Sequence, residues 1–368
     1  MRLRRLVSVS ILLAVLGASA HAQIYIGQTA GFSGPVAAGV KETTEGAKLY
    51  FDQVNAKGGV GGQKIELLSL DDKFDPKLAG ENARILIEDK SVVAMFLTRG
   101  TPHTEAIIPL LDKYGIPLIG PSTGAMVLHQ PVRKHVFNVR ATYQREAEKA
   151  IAHLLSIGIT RIAVIYADDS FGADGLAGAQ KGLQTAKLAA ATAQKFDRAK
   201  PDFSKITPAV LESKAQAVLF VASGSAVVEG IKLLKAAGAN AQYVTLSNNA
   251  SSGFITSLGD LKDGVIVTQV FPKSFEFAVV KELTDLARSK GISDVSPAMM
   301  EGFAAAKVMV EALRRTGGKP TSDRIQAALE GLNKFDLGRL EVSFSTSDHT
   351  GLDFADLSII SSSGKFRR

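Results

Sequence analysis

Two loops combine small hydroxyl residues with glycine directly after apolar runs: Thr98-Arg99-Gly100-Thr101-Pro102 and Gly120-Pro121-Ser122-Thr123-Gly124. Hydroxyls and free backbone N–H groups at a helix start are hydrogen-bond donors, and the helix dipole adds positive potential there. That combination suits a carboxylate, which accepts several hydrogen bonds at once. Either loop alone reads as an ordinary helix cap. Two of them at neighbouring strand ends define a candidate ligand site, drawing on Thr101, Pro102, Ser122, Thr123 and Gly124.

No catalytic pattern accompanies them. GxxxxGK[ST], HExxH and GxSxG are absent, and Gly58 to Gly62 precedes a strand where a dinucleotide fingerprint must follow one. Asp71-Asp72 and Asp168-Asp169 are paired carboxylates at strand ends, and helix capping and loop hydrogen bonds account for them. His103, His129, His135, His153 and His349 show no metal-ligand spacing. The chain has no cysteine, which removes thiolate catalysis, CxxC redox chemistry and thiol zinc sites. No enzyme, metal or cofactor is expected. The formal net charge is +7, of which Arg2, Arg4 and Arg5 supply three, and the remaining basic residues are interspersed with acidic ones. Nucleic acid is therefore not an expected partner.

The candidate loops must be held by strands and helices, and the chain alternates the two. Residues 24–27, 64–68, 92–96 and 117–120 read as buried strands, with helical spacing over 43–55, 76–89 and 104–114. The alternation restarts after Arg140. Helices are expected over 143–157, 172–186 and 225–237, and strands over 161–165, 216–221, 243–246 and 264–269. Helices 275–290, 297–315 and 321–331 follow, then strands 339–344 and 354–361. Such alternation predicts parallel sheets covered on both faces. The fold class is α/β, with two doubly wound parallel-sheet lobes joined by a multi-crossing hinge. Lobe 1 is expected to take 23–140 and 272–334, and lobe 2 to take 141–271 and 335–368. Ligands of open α/β sheets bind outside the carboxyl ends of the strands, where the hydroxyl loops lie.

Residues 1–22 read as a secretory signal peptide. Arg2, Arg4 and Arg5 precede the apolar run Leu6 to Leu16, and Ala20-His21-Ala22 supplies the small residues of a cleavage site. The run is too short to span a bilayer of about 30 Å. Cleavage after Ala22 and a periplasmic location are expected. An exported chain without disulfides must be held by burial alone, which suits a large periplasmic protein.

The ordered set Gly31-Phe32-Ser33-Gly34-Pro35, Asn55-Ala56-Lys57-Gly58-Gly59-Val60, Asp71-Asp72 with Asp75-Pro76, Gly115-Ile116-Pro117, Arg161 to Ile165, Phe171-Gly172 and Ala236-Ala237-Gly238 resembles the type I periplasmic binding proteins. Within them it is similar to the leucine/isoleucine/valine-binding family that serves ABC importers. The resemblance covers the chain from Gln23 on. It implies that a ligand closes the cleft between two lobes and that the closed form docks on an inner-membrane permease.

Carried over residue by residue, the resemblance places the carboxylate-holding hydroxyl on Thr101 and a second first-lobe segment on Ser122, Thr123 and Gly124. The aromatic residue covering the ligand falls on Phe171, and another aromatic position falls near Ser223. The chain departs from the family pattern at Ser247-Asn248, where amino-acid binders of this kind place an acid for the α-ammonium. A buried ammonium without a carboxylate is costly, so the implied solute is an amino acid or an organic or aromatic acid bearing a carboxylate. The alternatives are a sensory protein of the same fold and an exported α/β enzyme.

Overall fold

The computed structural model describes residues 23–367, so the expected signal peptide lies outside the described residues. Its first sheet contains β1 (Gln23–Ala30), β2 (Lys64–Asp71), β3 (Ala94–Phe96), β4 (Leu118–Ile119) and β5 (Val136–Phe137). All four pairings are parallel, in the order β2-β1-β3-β4-β5. Parallel neighbours need crossover connections. Helices α1 (Ala37–Ala56), α2 (Pro76–Arg84) and α3 (Thr101–Tyr114) supply the first three.

The second sheet repeats this plan. Helix α4 (Tyr143–Ser156) leads into β6 (Ile162–Ala167), α5 (Ser170–Thr185) and β7 (Thr192–Phe196). Then come α6 (Ile206–Glu212), β8 (Ala217–Val221), α7 (Ser225–Ala236), β9 (Gln242–Thr245), α8 (Ser252–Leu258) and β10 (Ile266–Gln269). These strands lie in the order β7-β6-β8-β9-β10, the same winding as the first sheet. Every residue of β8 is buried, as a central parallel strand covered on both faces requires.

Helices α9 (Ala278–Ser289), α10 (Pro297–Arg315) and α11 (Ser322–Glu330) pack back on the first sheet, sharing one core with Ile26, Phe96 and Phe137. Two glycines let α1 and α10 touch backbone to backbone. A Cβ on Gly46 would lie 1.9 Å from the Met299 carbonyl oxygen, and one on Gly302 would lie 1.8 Å from that of Thr43.

The tail corrects one expectation. Residues 335–368 do not return to the second lobe as a block. Strands β11 (Phe335–Asp336) and β12 (Glu341–Val342) form a hairpin sheet of their own. Leu337, Val342 and Phe344 lie in the first core. Only β13 (Asp356–Ile360) and β14 (Phe366–Arg367) join the second sheet, where β13 runs antiparallel to β10 and β14 antiparallel to β13. The second sheet is thus mainly, not wholly, parallel.

Candidate ligand-binding cleft

The chain leaves β3 through an unusual turn. Leu97 is buried and takes φ +53°, and Gly100 takes φ +92°. A bulky residue at positive φ is a strained conformation, of the kind that gathers at functional sites. The Gln28 side chain donates to the Leu97 carbonyl at 3.2 Å and holds the turn. Arg99 then bridges Ser122 beyond the ends of β3 and β4, at Phe96 and Ile119. Helix α3 begins at Thr101 with Pro102 in its first turn, where a proline costs no hydrogen bond.

Arg99 is 6% exposed and makes two neutral hydrogen bonds. It donates through Nη1 to Ser122 Oγ at 3.0 Å and through Nη2 to the Asn248 carbonyl at 2.5 Å. Among the described residues no carboxylate pairs with it, in contrast to Arg140. Burial pushes its pKa down, against the smaller opposing pull of Tyr143 and Glu301. A buried cation with neutral partners only is expensive, because desolvation is not repaid by an opposite charge.

The neighbouring cation is neutralised. Arg140 is ion-paired with the fully buried Glu146, and its Nη1 lies 3.8 Å from Glu301 Oε1. Burial works against the charged guanidinium, but the two carboxylates outweigh it and hold the Arg140 pKa above its ordinary value. Glu146 also accepts from the Ser247 N–H at 2.8 Å and from the Thr268 hydroxyl.

Between the two lobes lies a cavity of about 870 Å³, within the range of small-molecule sites. The first lobe contributes residues 34–39, Lys41 and Arg99; the second contributes residues around Gly224, Asn248 and Gly253. The starts of α1 and α7 both border it, and neither has a side-chain cap. Asn248 is 6% exposed and donates to the Ala222 carbonyl and to Ser223 Oγ, while its Oδ1 has no partner. The wall is otherwise small: glycine, alanine, serine and proline dominate it.

The lobes meet directly around this cavity. Glu42 of α1 accepts from the Ser252 and Gly253 N–H groups at 2.9 and 2.8 Å, capping α8 from the opposite lobe. Ser170 of α5 donates to Glu105 of α3. Arg198, ion-paired with Asp169 at 2.5 Å, lies between the rings of Phe74 and Phe171 at 5.2 and 5.3 Å from their centroids.

The residues singled out from sequence divide into two groups. Asn248 lines the cavity, Ser122 reaches it through Arg99, and Ser223 through Asn248. The others turn to the protein itself. Thr101 and Thr123 are fully buried and bond each other at 2.7 Å. Pro102 sits in the first turn of α3. Gly124 packs on the 141–143 backbone, where a Cβ would lie 2.5 Å from the Ala141 oxygen. Phe171 meets Tyr143 edge-on at 4.8 Å, and the Ser247 hydroxyl accepts from Arg140 at 2.9 Å. Arg99, which stands within the first hydroxyl loop, was not among the residues expected from the sequence. Its signal is a single arginine between two hydroxyl residues directly after a wholly apolar strand.

This fold and cleft define a binding protein. The family model described as periplasmic binding protein matches residues 23–355, and the chain belongs to that family. A Leu/Ile/Val-binding protein homolog 7 from Brucella suis is 26% identical over 338 residues, covering 86% of this chain and 83% of that protein. A substrate-binding periplasmic protein from Ralstonia solanacearum superposes with a TM-score of 0.85 at 29% identity, covering 94% of this chain and 99% of the other. A possible leucine/isoleucine/valine-binding protein from Rhodopirellula baltica gives 0.88 at 24% identity, covering 95% and 97%. The chain is a periplasmic binding protein of the Leu/Ile/Val-binding type.

Proposed function

We propose that this chain is the substrate-binding component of an ABC importer for branched-chain or other hydrophobic amino acids or related small carboxylates. The solute is taken into the interlobe cavity, and hinge closure brings the walls of the two lobes onto it. The carrying observation is that cavity, walled by both lobes at the carboxyl ends of both sheets, the place where open α/β sheets bind ligands. The Leu/Ile/Val-binding relatives support the solute class. In this reading the leader is removed after Ala22, the protein works in the periplasm, and its partner is an inner-membrane permease.

A melting-point screen of amino acids and organic acids tests the proposal. A ligand at a hundred times its Kd stabilises the folded state by about 2.7 kcal/mol. A clear upward shift with at least one hydrophobic amino acid or small acid is expected. Shifts with sugars or cations alone, or turnover of the bound acid, would contradict it.

A further inference from the structure

We propose that Arg99 anchors the ligand's carboxylate and that the preferred ligand carries no ammonium group, offering instead a neutral donor, such as a hydroxyl, to Asn248 Oδ1. This deepens the importer reading and rests on it.

Three independent features of the cavity point the same way. Arg99 lines it, is nine-tenths buried and has only neutral partners, Ser122 Oγ and the Asn248 carbonyl. A guanidinium presents five donors in a planar fork matched to a carboxylate, and two hydrogen bonds leave donors to spare. The starts of α1 and α7 border the same space without side-chain caps, so their positive ends add to one sign of potential. Every fixed charge in the cavity interior therefore favours an anion.

The same walls offer nothing to a cation. Among the cavity residues the single carboxylate is Glu229, which is exposed and lies 3.9 Å from Lys232. Glu42 spends both oxygens on the α8 backbone. Glu146 is taken by Arg140, Ser247 and Thr268, and Glu301, which also acts on Arg99, lies 3.8 Å from Arg140 Nη1 and is not among the cavity residues. Among the cavity residues, Asn248 Oδ1 is a buried acceptor with no donor. It satisfies a hydroxyl or amide N–H fully, but gives an ammonium one neutral contact against a cation-rich wall.

Matched pairs of probes on the full chain test this: 2-hydroxy-4-methylpentanoate against leucine, and 2-hydroxy-3-phenylpropanoate against phenylalanine, by calorimetry. In the better-binding pair the hydroxy acid is expected to be at least about tenfold tighter than the amino acid, a factor that corresponds to about 1.4 kcal/mol. Arg99→Gln should weaken the hydroxy acid by at least about tenfold, with Arg99→Lys retaining part of the affinity. Equal or tighter binding of the amino acid, or an Arg99→Gln variant that folds and binds unchanged, overturns the inference and leaves the importer reading standing. Binding by none of the four also overturns it, and the broad melting-point screen then judges the importer reading separately. The wild-type pairs stand whether or not the variants fold.

Discussion

Asp72 shows how burial sets chemistry at a single residue. It is fully buried at the end of β2, where its carboxylate accepts from the Phe74 N–H at 2.9 Å and from Thr29 Oγ1 at 3.1 Å. Burial outweighs both bonds, and its pKa is pushed up to about 6. The folded state thus binds a proton more readily than the unfolded chain, whose Asp titrates near 4. This contribution to stability is complete below about pH 4 and is lost as pH rises through about 6. Asp72→Asn fixes the neutral form. Its stability relative to wild type should be higher at pH 8 than at pH 4 by up to about 3 kcal/mol. Urea unfolding at the two pH values measures this, and a pH-independent difference would refute it. Glu146→Ala should cost about 3–5 kcal/mol, because Arg140 would lose its closest partner in a dry site; a loss below about 1 kcal/mol would contradict the pairing.

These residues were legible in the sequence to different degrees. Glu146 falls four residues before Ala150 and on the apolar face of α4, so a buried carboxylate there can be read from spacing alone. Arg99 stood in plain view within its loop. That it has no acidic partner depends on where Glu42, Glu146 and Glu301 point, which is a property of packing between distant segments.

At the scale of elements, the alternation of strand and helix was legible because central parallel strands are continuous apolar runs. What escaped were short or edge elements. β7 is the edge strand of its sheet and alternates partly exposed residues, so its Thr-Ala-Gln-Lys-Phe lacks the apolar run of β6 or β8. α6 and α8 have seven residues each, too few for a clear helical period. Helix α1 begins at Ala37, six residues before the expected start: its first turns carry Gly39, a poor helix former, and lie against Ser251 and Gly253 of the second lobe. The crossing of α1 with α10 yields a prediction. Gly302→Ala places a Cβ against the Thr43 backbone, which cannot move aside as a side chain can. It should cost at least about 1–3 kcal/mol, read from chemical denaturation. An unchanged midpoint would show that the two helices are not so close.

For the whole molecule, the two lobes and their returning chain followed from the order of elements, but the path of the tail did not. The run 339–344 has strand-like residues, and the sequence carries no mark that they would close a private hairpin over the first core. The contact between lobes was also beyond reach, since it joins residues two hundred positions apart, as Glu42 joins Ser252 and Gly253. Gly253→Ala probes it. The added Cβ would lie 2.3 Å from Ala38 Cβ across the cleft, while alanine favours α8 by up to about 1 kcal/mol. The variant should stay folded yet resist closure, giving a larger radius of gyration by small-angle scattering than wild type with the same saturating ligand. An identical radius would mean that the lobes do not meet there in the bound form.

The central claim is that solute binds between the lobes. A crystal structure of the full chain with a ligand from the melting-point screen tests it most directly. The ligand should lie between the start of α1 and the second-lobe wall, with its carboxylate on Arg99 and a second polar group at Asn248. A ligand bound on one lobe alone, away from both residues, would contradict it.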